Sequence, residues 1–110
     1  MARASKPVLT HVTYRPKKGK EKDLFTLVKR HWPTLRKIGL VTADPATVYR
    51  ATNKETGGVY FVEIFSWRDQ KASGIAHQTP EVMAVWETMG PVMDGLEIAA
   101  IEPVGARAKR

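Results

Sequence analysis

The spacing of hydrophobic positions changes along this chain, and each change marks an element. Residues 8–14, Val-Leu-Thr-His-Val-Thr-Tyr, are β-branched and aromatic and predict a first strand that stops at Arg15-Pro16. From Lys20 onward Leu24, Leu27, Val28, His31, Leu35 and Ile38 recur at steps of three and four, the stripe of an amphipathic helix that ends at Gly39. Pro33 removes a backbone donor inside that stripe, so a kink or restart is expected near Trp32-Pro33. Residues 46–52 and 59–67 read as a hairpin around the polar turn from Asn53 to Gly58. Asp69 is expected to cap a helix reaching about His77. Thr79-Pro80-Glu81 then opens another, with Thr79 as its cap and Val82, Val85, Trp86 and Met89 as its apolar stripe. Gly90-Pro91 disrupts it, and residues 96–103 complete the pattern as a last strand. The order β-α-β-β-α-β predicts an α+β, ferredoxin-like domain with helices on one face of an antiparallel sheet.

The strand at 59–67 adds a constraint. One face presents Val59, Phe61, Glu63, Phe65 and Trp67, and the other Tyr60, Val62, Ile64 and Ser66. A sheet with helices on one side and water on the other alternates apolar with polar. This strand is apolar on both faces, and no residues remain to build another layer. A second copy of the chain is the expected cover, giving a homodimer joined through the sheet faces. A lysine at Phe61 or Phe65 is expected to break it.

Composition removes several classes of chemistry. With 110 residues and no cysteine, the chain is read as one domain without disulfides, a thiolate nucleophile or an iron–sulfur cluster. Residues 8–104 form that domain, between basic tails at 1–7 and 105–110. The net charge of +7 is concentrated at the ends, where Arg3, Lys6, Arg107, Lys109 and Arg110 supply five of the seven charges. Specific nucleic-acid binding is therefore not expected. An RNA-binding domain of the same element order needs stacking aromatics on its third strand, and Val59 and Ile64 occupy those places. No apolar run reaches membrane-spanning length and no signal peptide is evident, so a cytoplasmic location with no membrane partner is the expectation.

Two segments carry a family likeness. Glu-Ile-Phe-Ser-Trp-Arg-Asp at 63–69, followed by Ala-His-Gln-Thr-Pro-Glu-Val at 76–82, resembles the antibiotic biosynthesis monooxygenase family over roughly residues 8–103. The resemblance implies a dimeric α/β barrel, in which two ferredoxin-like units associate through their sheets. It also implies binding of a small aromatic or polyketide-like molecule, with cofactor-independent monooxygenation as the expected reaction. Haem degradation in the family uses an Asn–Trp–His constellation; this chain has no Asn in the first strand, and that activity is not expected. The segment 29–36, Lys-Arg-His-Trp-Pro-Thr-Leu-Arg, lies outside the general family pattern. The alternative from another class is a non-catalytic ligand-binding or structural dimer.

The candidate chemistry rests on few residues. His77, at the break before Pro80, and His31, on the apolar stripe beside Pro33, are the candidate catalytic bases. Each has a bland alternative, a helix-break hydrogen bond for His77 and a satisfied core position for His31. Trp32 and Trp86 are candidate stacking walls for a substrate, and Trp67 a candidate pocket mouth. Glu63 is either a substrate-side carboxylate or the partner of Arg50 or of an arginine in a second copy. His11 has no assigned role. No spacing of His11, His31, His77 and Glu63 matches a metal site. No nucleotide, flavin or nicotinamide fingerprint is present, so no cofactor is expected.

Overall fold

The structure is a computed structural model that describes residues 6–105. The basic tails therefore fall largely outside the described residues. The elements are β1 (Val8–Pro16), α1 (Glu21–Ile38), β2 (Thr47–Thr52), β3 (Val59–Trp67), α2 (Ala72–Ala76), α3 (Pro80–Met89) and β4 (Met93–Ala100). The four strands form one antiparallel sheet in the order β2-β3-β1-β4, the ferredoxin-like arrangement that the pattern predicts. No described helix is long and apolar enough to cross a membrane.

α1 does not restart at Pro33; a single helix runs from Glu21 to Ile38. Glu21 and Asp23 in its first turn and Arg36 and Lys37 in its last complement the helix dipole. It ends in a Schellman motif. Gly39 adopts φ 81°, its N–H donates to the Arg36 carbonyl, and the Leu40 N–H donates to the Leu35 carbonyl. Leu24, Leu27, Val28, His31 and Leu35 are the buried stripe of α1. They pack onto Val12, Tyr14, Phe61 and Phe65 of the sheet, with Val82 and Met89 of α3 beside them.

Three local expectations are corrected. α2 begins only at Ala72, because Asp69 Oδ1 accepts the Lys71 N–H in a turn ahead of the helix rather than capping it. Thr79 does occupy the N-cap position of α3, but its hydroxyl turns back to donate to the Ile75 carbonyl at 2.8 Å. After α3 the chain makes a single 3-10 turn, Gly90–Val92, and enters β4 at Met93 instead of residue 96. The early start is fixed by pairing of Met93 with Pro16 across an irregularity at Arg15/Pro16.

The two faces of the sheet differ as the alternation requires. Phe61, Glu63, Phe65 and Trp67 are buried beneath the helices, whereas Tyr60, Val62 and Ile64 face the other way and are half-buried. On that outer face Val62 pairs with Thr13 and Tyr49, and Ile64 pairs with His11 and Thr47. Phe61 and Phe65 belong to the helix-covered core. A lysine at either would therefore damage folding rather than report on a sheet-face dimer.

Candidate active site

Strand register brings together three polar side chains that lie far apart in sequence. Tyr14 pairs with Phe61, and Glu63 pairs with Val12, which sets Tyr14 and Glu63 diagonally across β1 and β3 on the face under α1. His31 comes down onto them from the apolar stripe of α1. The Tyr14 hydroxyl donates to Glu63 Oε1 at 2.6 Å, and His31 Nδ1 lies 2.9 Å from the same oxygen. His31 is 4% exposed and Glu63 0%, so both are shielded from bulk solvent.

These bonds assign the histidine tautomer. Tyr14 gives its one proton to Glu63, so Nδ1 of His31 must carry the hydrogen that reaches Glu63 Oε1, with the Tyr14 oxygen at 3.3 Å as a secondary acceptor. In the neutral ring Nε2 then presents a lone pair. It is buried and has no hydrogen-bond partner among the described residues. An acceptor left open in this way is uncommon unless a ligand or water meets it.

His31 forms part of the wall of a cavity of ≈ 230 Å³ between the helices and the sheet. Phe65, Trp67, Trp86 and Met89 are among its apolar walls, and Leu96 and Ile98 of β4 form an open side, being 47% and 65% exposed. His77 lines the same space at its outer edge, where its Nδ1 donates to the Ser73 carbonyl at 2.9 Å. The Trp86 ring lies between the histidines, with centroids 6.0 Å from His31 and 4.8 Å from His77. The two rings are thus less than twice that larger distance apart and address one cavity. This is the concave, largely apolar site with few polar groups that suits a small organic ligand.

The predicted residues divide accordingly. His31, His77, Trp67 and Trp86 line the cavity. Glu63 stands behind it, touching His31 and Tyr14 rather than open space. The proposed pairing of Glu63 with Arg50 is overturned: Arg50 reaches Glu21 at 3.3 Å on the exposed surface, since α1 starts directly above it. Trp32 does not reach the cavity. It packs half-buried against the core, one position away from the inward stripe, with its indole N–H buried and unpartnered among the described residues. Tyr14 escaped the sequence reading, although its phase with Val12 places it on the helix-covered face. Thr10, Ser73 and Met93 also contribute wall positions that no local pattern singles out.

The burial of Tyr14, and after it the charge and hydrogen bond of Glu63, push its hydroxyl far above the ordinary value of 10.0. The native state therefore retains this proton where the unfolded chain loses it. Stability from this group is complete below pH 10 and declines above it, with a slope approaching ~1.4 kcal/mol per pH unit. Alkaline denaturation followed by circular dichroism should show this decline in the wild type, and Tyr14→Phe should flatten it. An unchanged slope in Tyr14→Phe would contradict the buried assignment.

No family profile matches the sequence, and neither does any curated relative. Solved structures do match in fold. A crystal structure of an antibiotic biosynthesis monooxygenase is 15% identical, aligns over 88% of this chain and 98% of its own, and superposes with a TM-score of 0.67. A variant of SnoaB, a cofactor-independent oxygenase from Streptomyces nogalater, is 12% identical over 92% of this chain and 98% of its own, also at 0.67. PA3566 from Pseudomonas aeruginosa is 13% identical over 94% and 99%, at 0.69. At such identities the likeness speaks to architecture. This chain has the ferredoxin-like α+β fold of the antibiotic biosynthesis monooxygenases.

Proposed function

We propose that this protein binds an electron-rich aromatic molecule in the cavity and oxidises it without a cofactor, using His31 as the general base. The carrying observation is the Tyr14–Glu63–His31 network, which fixes the ring of a histidine that lines the cavity and leaves its Nε2 without a hydrogen-bond partner among the described residues. The fold shared with a cofactor-independent oxygenase supports the same reading.

The chemistry balances with dioxygen as the only co-reactant. His31 Nε2 takes one C–H proton from an activated ring CH2 conjugated to a ring ketone, leaving an enolate whose CH carbon carries the electron density. The anion passes one electron to dioxygen, and the resulting radical pair joins as a C–O bond. His31 returns its proton to the peroxide, and loss of water converts the CH2 to C=O. One oxygen atom stays in the product, and the other leaves as water with the two hydrogens of the CH2. Glu63 holds Nδ1–H throughout and stabilises the imidazolium when it forms. A hydroxylated anthrone contains both required groups. It should be converted by the purified protein with one dioxygen consumed per molecule and one 18O atom retained in the new carbonyl. Oxygen uptake no faster than in protein-free buffer would overturn the reaction.

The same reading includes a homodimer through the outer sheet face. That face is built from Tyr60, Val62, Ile64 and Tyr49, with Arg15 and Glu97 paired at 3.4 Å along one edge. Light scattering should give about twice the 12.3 kDa chain mass. Val62→Lys should shift it to the monomer, because a lysine there would be buried without a partner. A wild-type monomer at micromolar concentration would exclude the dimer.

A further inference from the structure

The cavity under His31 adjoins another hollow at Trp67. This second hollow of ≈ 230 Å³ shares Thr10, Trp67, Ser73 and Ile98 with it, and continues toward Val8, Asp69, Gln70 and Ala100. The first chamber alone falls short of the ~300 Å³ at which small-molecule sites ordinarily begin, whereas the two together lie within the usual range. Their walls differ in kind. Around His31 the polar groups are few, while the far chamber adds the Asp69 carboxylate and the Gln70 amide beside the Ser73 hydroxyl that both share.

The engagement of those groups restricts what they can receive. Asp69 Oδ2 accepts from Arg68 Nε at 2.8 Å, and Oδ1 accepts the Lys71 N–H at 2.9 Å. The Arg68 hydrogen bond holds the Asp69 carboxyl below its usual range, so its charge is already matched by the adjacent guanidinium. This is a poor anchor for a cation. The Gln70 side-chain amide and the Ser73 hydroxyl, by contrast, make no side-chain hydrogen bond among the described residues. An amide and a hydroxyl offer both donors and acceptors, the complement of an uncharged polar group.

We infer that the ligand is two-part: a flat aromatic portion against Trp86, Trp67 and His31, and an uncharged, hydroxylated arm that passes Thr10 and Ser73 to reach Gln70. This rests on the aromatic-ligand reading above and adds the chemical class of the second portion. Gln70 is a specificity-determining residue on this account and takes no part in proton transfer.

The test uses 2-naphthol and three analogues substituted at carbon 6, titrated calorimetrically into the full chain. The 2-hydroxyethyl analogue should bind about fivefold more tightly than the propyl analogue of similar size, the value expected of one well-formed hydrogen bond. It should also exceed the 2-aminoethyl analogue. Gln70→Ala should bring the hydroxyethyl-to-propyl ratio close to one. If 2-naphthol binds but the propyl analogue equals or exceeds the hydroxyethyl one, the two-part inference fails and the aromatic site stands. Preference for the aminoethyl analogue overturns the uncharged arm, and a ratio unchanged in Gln70→Ala overturns the role of Gln70. If none of the four binds, both readings fall.

Discussion

Glu63→Ala should lower the melting temperature by roughly 15 °C or more, the largest stability effect of any single truncation in the site. The substitution removes the shared acceptor of two buried donors, Tyr14 Oη and His31 Nδ1, and leaves a void where the carboxylate was fully enclosed. Unpaired buried polar groups and cavity formation act in the same direction, together costing about 3–5 kcal/mol. Against the ~5–15 kcal/mol that stabilises an ordinary domain, this is a large fraction. Glu63→Gln keeps the volume and a carbonyl oxygen able to accept from both partners, and should cost only about 1–2 kcal/mol. Thermal melts of the two variants separate loss of the acceptor from loss of the charge. A Glu63→Ala protein melting within a few degrees of wild type would mean that Tyr14, Glu63 and His31 do not form the network described. A double-mutant cycle of Glu63→Gln with Tyr14→Phe should show a coupling of at least about 0.5 kcal/mol.

The fold was legible because its determinants are local. The three- and four-residue steps from Leu24 to Ile38 mark α1, and the alternation from Val59 to Trp67 marks both faces of β3. At Pro33 the local signal allows a kink or a restart, and the helix does not restart. Pro33 removes one backbone hydrogen bond and crowds the preceding turn, but a helix supported by five buried side chains continues through it. The start of β4 was misplaced because its first pair, Met93 with Pro16, depends on an irregularity in a distant strand. The site was half legible for the same reason. His31 announces itself as a polar residue on an apolar stripe, and Glu63 as a charge between two phenylalanines. What joins them is the register of β3 on β1 and the height of α1 above the sheet, neither of which is written in either segment. Without that register Arg50, a cation on the adjacent strand, was the natural partner for Glu63. In the fold Arg50 sits instead at the sheet edge under Glu21. Trp32 failed differently. One residue along a helix is a rotation of about 100°, enough to separate it from the cavity that His31 faces.

His31 and His77 should respond unequally to substitution. The proton acceptor in the proposed reaction must have a lone pair directed at ligand and a group behind it that stabilises the positive ring. His31 lines the cavity with Glu63 at 2.9 Å on Nδ1, and its buried Nε2 has no hydrogen-bond partner among the described residues. His77 also presents Nε2, but its Nδ1 rests on the Ser73 carbonyl, a neutral acceptor, and it sits exposed at the rim. His31→Gln should therefore reduce kcat for a hydroxylated anthrone by about 100-fold or more, the range lost with a general base. His77→Ala should raise KM with a change in kcat below about tenfold, through loss of its packing on Trp86. Because His31 is also a structural partner of Glu63, the assay needs a readout that folding alone would not move. Added imidazole should restore part of the rate to His31→Ala, by placing a free base in the vacated space, and should leave His77→Ala unchanged. A folded His31→Gln protein within threefold of wild-type kcat, alongside an inactive His77→Ala, would transfer the proton to His77 and reduce the Tyr14–Glu63–His31 network to a structural tie between sheet and helix.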